Sequence, residues 1–228
     1  MTVKLQNINT VILSGGLGSR LRSIISDKQK VLVDVNGRPF IFYLFDQLYN
    51  VGIRDIILCT GYLGRHLEKV VGSQYRSISI RYSKEGAPLG TGGALRLARD
   101  MIDTEFTLVM NGDSFIDIDY RDFFAWHIEK GGLISLVVTT TGKTDRYGSV
   151  KVDSDGKVIG FYEKISSSHS NSNLINAGIY LFHKSILETF PDKDKFSLEK
   201  DILPSFVGHD IFGYYAAGAF IDIGTPES

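Results

Sequence analysis

The stretch Leu13–Leu21, LSGGLGSRL, places Gly15, Gly16 and Gly18 within four positions and follows them with Ser19 and Arg20. Glycines let backbone N–H groups approach a phosphate chain closely, and an arginine adds a planar fork for phosphate oxygens. Neither common nucleotide formula fits. A P-loop needs Gly-Lys-Ser/Thr after its last glycine, and a dinucleotide fingerprint needs glycine where Leu21 stands. A second cation, Lys30, follows Arg20 by ten residues in SDKQKVLVDVNGRPF, near the start of what reads as the next strand. Further along, Asp113 in VMNGDS and Asp222 in AFIDIG each end an apolar run, so each can present a carboxylate at a strand end. Two such oxygens suit Mg²⁺, which prefers hard ligands and keeps water and phosphate in its shell. Taken singly, either aspartate would serve equally well as a turn or cap. Glu163 and Lys164 are adjacent charges that alone read as a solvated edge.

The elements that must position these residues follow from the apolar pattern. Short β-rich runs (TVILS, RDIILCT, SISIRYS, FTLVMNGD, LISLVVTTT) alternate with helical segments (PFIFYLFDQLYNVG, GRHLEKVVG, TGGALRLARDMI, YRDFFAWHIEKGG). Strands separated by helices of this length imply βαβ crossovers and a doubly wound, mostly parallel α/β sheet of Rossmann-like form. In such a sheet ligands bind beyond the carboxyl ends of the strands, where the loop after the first strand lies. After about Thr141 the texture changes: YGSVKVDSDGKVIGFYEK reads as a hairpin turning at Asp155-Gly156, with NAGIYLF and FGYYAAGAFIDIG as further strands. The whole chain, 1–228, reads as one domain, with a nucleotide-binding half to about 141 and a substrate lobe from about 142. The run SSSHSNSN, 166–173, reads as a surface loop or a lid, and the aromatic segment FFAWH as core or interface.

Composition bounds the partners. Hydrophobic residues make up 43% and charged residues 22% of 228, which suits a globular chain with a substantial core. A formal net charge of -1 supplies no field for a polyanion, so nucleic acid and anionic membrane surfaces are not expected partners. Phosphate binding must then be local. The single cysteine, Cys59, excludes a disulfide within one chain and reads as a small buried hydrophobe. No apolar run reaches the length of a membrane span and the start MTVKLQNINT lacks a signal-peptide core, so a cytoplasmic location is expected. The five histidines form no metal-spaced cluster, and no Ser-His or Cys-His arrangement suggests a covalent nucleophile.

The ordered motifs resemble those of the sugar-1-phosphate nucleotidylyltransferase family, whose signature is G-G-x-G-[ST]-R-L with a lysine about ten residues on. Gly15, Gly16, Gly18, Ser19, Arg20, Leu21 and Lys30 match it. The resemblance continues through PLGTGGAL (88–95), MNGDSF (110–115), YEK (162–164), NAGIY (176–180), SLEKDILP (197–204) and FIDIGTPE (220–227), in order and over nearly the whole chain. Two departures are Val31, where many members carry proline, and an end at Ser228, where members usually continue into a helix. The resemblance implies transfer of a nucleotidyl group from a nucleoside triphosphate to a sugar 1-phosphate, with Mg²⁺ as cofactor and a homo-oligomer as one possible assembly. Arg20 and Lys30 would be catalytic and Asp113 and Asp222 would hold the metal. Leu13, Gly15, Gly16, Gly18, Ser19, Glu85, Gly90, Thr91 and Gly92 would bind the nucleotide. The sugar phosphate would fall to Gly148, Glu163, Lys164, Asn176 and Gly178. Glu199 of SLEKD has a weaker case, since a capping box running from Ser197 explains it nearly as well.

Guanine offers an N1–H and an N2 amino group side by side, a donor pair that one carboxylate can accept. Glu85, just before PLGTGGAL, stands where guanylyl-transferring members carry a comparable acid, so GTP is the favoured donor; a plain loop acid is the competing reading. SGGLGSRLRS, VNGRPF and FIDIGTPE are most similar to members that use D-glycero-α-D-manno-heptose 1-phosphate for bacterial surface polysaccharide. Mannose 1-phosphate and an N-acetylhexosamine phosphate stay open as acceptors. A GT-A-type glycosyltransferase would use the D-x-D pattern of Asp117–Asp119 but leaves the glycine loop and Lys30 unexplained. A nicotinamide-dependent dehydrogenase has only the spacing of Asp34 in its favour. A nucleotide sensor would have no use for the paired aspartates.

Overall fold

The computed structural model describes residues 5–16, 29–141, 147–162 and 173–223. In chain order its elements are β1 (Asn9–Leu13), β2 (Asp34–Val35), β3 (Arg38–Pro39), α1 (Ile41–Val51), β4 (Asp55–Thr60), α2 (Gly64–Val71), β5 (Gln74–Tyr75), β6 (Ile78–Lys84), α3 (Gly90–Leu97), β7 (Phe106–Asn111), β8 (Ser114–Ile116), α4 (Tyr120–Lys130), β9 (Ile134–Thr140), β10 (Ser149–Val152), β11 (Val158–Tyr162), β12 (Leu174–His183), β13 (Ile211–Tyr215) and β14 (Phe220–Asp222). Ten strands form one sheet in the order β11-β10-β12-β7-β1-β4-β6-β5, with β9 beside β12 and β13 beside β9. The central strands β7, β1, β4 and β6 are parallel. Strand β12 returns against β7 and pairs antiparallel with it, with β9 and with β10, while β13 runs parallel to β9. The result is a mixed sheet around the expected doubly wound parallel centre.

Successive side chains of a strand face opposite ways, and here both faces are covered. Ile12, Ile56 and Leu108 join Leu44, Leu67 and Phe123 of α1, α2 and α4 in one core layer. Val11, Ile57 and Val109 join Leu95 of α3, Ile186 and Leu198 in the other. Cys59 lies in that second layer at 2% exposure, and burial pushes its thiol up to about 12. The strand runs are near-continuously apolar because both faces are buried.

Local signals explain most boundaries. Helix α4 starts at Asp119, whose Oδ1 accepts from Arg121 N at 2.8 Å, and ends at Gly131, left-handed at φ 65°. That cap occupies the last aspartate of the Asp117–Asp119 pattern. FFAWH divides: Phe123, Phe124 and His127 are core, while Trp126 packs edge-on against Phe212 and Tyr214. The hairpin β10–β11 turns at Gly156, φ +82°, as its Asp-Gly step suggests.

The segment after Lys30 departs from the expectation of a strand start. Lys30–Leu32 forms a single 3-10 turn, and β2 and β3 pair as a short antiparallel ribbon, Asp34 with Pro39 and Val35 with Arg38. Val31 and Leu32 insert together into the α1 side of the core, which alternation along a strand would not permit. Among the described residues no helix is long and apolar enough to cross a membrane.

Candidate active site

Strands β1 and β7 lie side by side, but the chain leaves β1 toward β4 and leaves β7 toward β8, which makes their carboxyl ends the topological switch point. Leu13 pairs with Asn111 there, and Gly112 N donates to Leu13 O at 2.9 Å. Gly15 and Gly16 follow immediately, at the rim of the crevice. Gly18, Ser19 and Arg20 fall outside the described residues, as do Glu163 and Lys164. Ser14 anchors the start of the loop: both its N–H and its Oγ donate to Cys59 O, at 2.9 and 2.7 Å.

At one end of the crevice stands Glu85, just past β6. Its N–H donates to Thr60 O at 2.9 Å and its Oε2 accepts from Leu89 N at 3.2 Å. The carboxylate lies over two glycines: a Cβ added to Gly15 would come within 2.5 Å of Oε1, and one on Gly61 within 2.3 Å. Those missing side chains create the slot that Glu85 fills. Glu85 therefore sits against the glycine loop rather than on a free loop. Partial burial raises its pKa, against the lowering effect of the Leu89 N–H.

At the other end, β8 and β14 form an antiparallel ribbon in which Asp222 opposes Ser114. Ile223 N donates to Asp113 O at 3.0 Å, which brings Asp113 and Asp222 to the same edge. Lys30 Nζ forms an ion pair with Asp113 Oδ2 and lies 3.9 Å from Asp222 Oδ1. The 3-10 turn carrying Lys30 is tied down by the buried Gln29, whose Nε2 donates to Tyr62 O at 2.7 Å. Two carboxylates thus converge on one cation. The oxygen-only donor pair fits a hard dication that completes its shell with water and phosphate. Among the described residues no group of three or more His, Cys, Asp or Glu side chains is placed to hold a metal on its own.

The third wall is the bulge of β12. Its register against β9 shifts between Asn176 and Tyr180, where Gly178 takes φ +76°. A Cβ on Gly178 would meet Asn111 Nδ2 at 2.5 Å, so this glycine makes room for a neighbouring side chain. Asn176 N donates to Gly148 O at 3.0 Å, joining two of the expected sugar-side residues. Thr91 and the glycines of PLGTGG behave differently from a free backbone cradle. Gly92 N donates to Phe196 O at 3.0 Å, and a Cβ on Gly92 would stand 2.3 Å from the Phe196 ring. Gly90, at φ +77°, likewise faces the Phe196 carbonyl. These glycines dock α3 against the 194–198 segment, and Thr91 Oγ1 donates to Glu199 at 2.7 Å.

Sequence reasoning missed Asn111 and Gly61. Asn111 lies inside MNGDSF and could have been found as the polar residue ending an apolar strand; Gly61 follows another strand in CTGYLG. Among the described residues two Ser-His contacts occur, His127 with Ser135 and His183 with Ser185, both 2.7 Å. Both lie toward the opposite end of the sheet, where His183 pairs with Phe106 at the start of β7.

A glycine loop at the switch point, flanked by a carboxylate slot and by paired aspartates, calls for a nucleotide, and comparisons with known proteins agree. The family model described as Nucleotidyl transferase matches residues 9–228. The chain is 38% identical to a D-glycero-alpha-D-manno-heptose 1-phosphate guanylyltransferase of Aneurinibacillus thermoaerophilus, over 96% of this chain and 94% of that protein. It is 36% identical to the enzyme of the same name from Campylobacter jejuni, over 96% of each. Crystal structures of HddC from Yersinia pseudotuberculosis, one of them complexed with GMP-PN, align with a TM-score of 0.83 at 34% identity, over 96% of this chain and 95% of theirs. With the match spanning the switch-point loop, both aspartates and the β12 bulge, the chain belongs to the nucleotidyl transferase family.

Proposed function

We propose that this enzyme transfers GMP from GTP to D-glycero-α-D-manno-heptose 1-phosphate, releasing pyrophosphate and making a nucleotide sugar for bacterial surface polysaccharide. The observation that carries the base is the Glu85 carboxylate over Gly15, within reach of a nucleotide threaded along the loop. A single carboxylate there can accept both the N1–H and the N2 amino group of guanine, whereas uracil and thymine offer one ring N–H. The sugar rests on the names of the two relatives and on the Asn176–Gly178 bulge facing the same crevice.

In the reaction an oxygen of the sugar phosphate attacks the α-phosphorus in line; the new O–P bond forms as the bond to the β-phosphate oxygen breaks. Such a transfer needs positioning and charge stabilisation and no covalent nucleophile. Arg20 and Lys30 neutralise the triphosphate and steady the leaving pyrophosphate. Asp113 and Asp222 would hold Mg²⁺, which supplies charge neutralisation of the phosphates. Leu13, Gly15, Gly16, Gly18 and Ser19 lie along the nucleotide, Gly90, Thr91 and Gly92 shape the base end, and Gly148, Glu163, Lys164, Asn176 and Gly178 receive the sugar phosphate. The substrates place the enzyme with cytoplasmic nucleotide pools.

The test is pyrophosphate release with Mg²⁺, each nucleoside triphosphate being paired with heptose, mannose and N-acetylhexosamine 1-phosphates. Release confined to GTP with the heptose phosphate is expected. Release with another pair would overturn the substrate assignment, and turnover of a nucleotide sugar instead would favour a glycosyltransferase.

A further inference from the structure

Among the described residues, Glu199 is held in a way that neither a cap nor an ion pair explains. Ser197 opens a single π-helical turn, Leu198–Ile202, and its Oγ accepts from Lys200 N at 3.3 Å. The reciprocal bond that a capping box requires comes from Asp201, whose Oδ2 accepts from Ser197 N at 2.7 Å. Glu199 is thereby released to face inward. Its Oε2 accepts from Thr91 Oγ1 and Ser197 Oγ, both at 2.7 Å, and its Oε1 from Tyr180 OH at 3.3 Å. The buried Tyr180 in turn accepts from Asn176 Nδ2 at 2.8 Å, and Asn176 Oδ1 accepts from Gly178 N at 3.0 Å.

Hydrogen counting fixes the direction of this chain. A tyrosine hydroxyl has one hydrogen, and an ionised carboxylate can only accept. While Glu199 carries its charge, Tyr180 donates to it and offers Asn176 only an acceptor. Gly178 N, which can only donate, holds the Asn176 oxygen, so the amide nitrogen faces Tyr180 and meets there the acceptor that Glu199 has left. One amide hydrogen of Asn176 remains for an acceptor in the crevice.

We propose that Glu199 is a positioning residue for sugar-phosphate recognition, its charge keeping Tyr180 an acceptor and so holding the Asn176 amide in the orientation that meets a substrate hydroxyl. The inference rests on the sugar-nucleotide reading of the site. An amide at position 199 could donate to Tyr180, whose hydrogen would then turn toward the Asn176 amide nitrogen, donor against donor, and loosen that contact while Gly178 N still holds the oxygen.

The experiment compares Glu199→Gln, Tyr180→Phe, the double variant and Asp201→Asn, using whichever sugar 1-phosphate the wild type turns over best. Glu199→Gln and Tyr180→Phe should each raise KM for that substrate about tenfold, the size of one lost hydrogen bond. KM for the triphosphate should change less than about twofold on the same basis. The double variant should be no worse than the worse single one, because both act on one chain. The ¹⁵N side-chain amide signal of Asn176 should shift in both single variants. Asp201→Asn loosens the same turn without touching the chain and should lower Tm while leaving both KM values in place. Equal rises in both KM values, additive effects, or an unmoved Asn176 signal would overturn the proposal. Wild-type turnover of a different substrate pair would overturn the substrate reading alone, since the variant comparison is made on the acceptor actually used.

Discussion

In the proposed reading of guanine the Glu85 carboxylate must be ionised when the base arrives, and burial works against that. Desolvation raises its pKa above the ordinary carboxylate value, so it takes up a proton at a higher pH than a surface glutamate would. KM for GTP should accordingly rise on acidification before the pH reaches the usual carboxylate range. Glu85→Gln should flatten that profile and narrow the preference for GTP over UTP by roughly tenfold, on the scale of one charge-assisted hydrogen bond. An unchanged base preference in this variant would remove Glu85 from base reading. His127 sets a second pH effect, on stability alone. Burial, with a smaller contribution from nearby His183, holds its imidazole down to about 4, and Ser135 engages its Nδ1. The unfolded chain binds a proton near pH 6.5 while the native chain does not, so stability is full above 6.5 and falls as pH drops toward 4. The loss is on the order of 3 kcal/mol. Chemical denaturation across that range should show it, and His127→Gln should lose much of the slope. Residue types and spacing made the charged groups legible from sequence, as with Lys30 and the two aspartates. The slot under Glu85 was not legible, because it depends on Gly15 and Gly61 meeting from separate strand ends.

At the scale of elements, glycines serve two different purposes, and substitution separates them. Gly92 sits under the Phe196 ring at the start of α3, so a methyl group there must displace a buried aromatic. Gly92→Ala should cost about 1–3 kcal/mol, as overpacking does, and lower Tm. Gly16 has no atom within 4 Å of an added Cβ. Gly16→Ala should leave Tm nearly unchanged yet raise KM for the triphosphate, because only the ligand would feel the methyl group. Equal Tm losses in the two variants would show that Gly16 serves the fold and not the nucleotide. The same contrast explains which elements were readable. Asp119 and Gly131 bracket α4 because caps are local chemistry, and Asp155-Gly156 marked its hairpin for the same reason. Val31 and Leu32 carried a strand-like pattern, but their burial on one side of the sheet pulled the backbone into a 3-10 turn. Glu199 was ambiguous for a tertiary reason, since its partners Thr91 and Tyr180 come from distant parts of the chain.

Across the whole molecule, the crevice is closed by segments that share no local sequence: the ends of β1, β4, β6 and β7, the Lys30 turn, the β12 bulge and β14. Their convergence depends on the sheet as a unit, and any ligand that contacts several of them binds the folded chain alone. Binding to the native state only stabilises by RT ln(1 + [L]/Kd), about 2.7 kcal/mol at a hundredfold excess over Kd. For a chain of this size each kcal/mol moves Tm by roughly 2–4 °C, so GTP with Mg²⁺ should raise Tm by about 5–10 °C. On the proposed reading, the metal-dependent share of that shift would belong to the edge where Asp113 and Asp222 face Lys30. Asp113→Asn should therefore abolish the difference between GTP with and without Mg²⁺, while retaining a smaller shift from base and loop contacts. Scanning calorimetry at constant pH distinguishes the cases. A wild-type shift independent of Mg²⁺ would mean that the paired carboxylates serve the lysine and not a dication, since two anions that bind no metal would only repel the triphosphate.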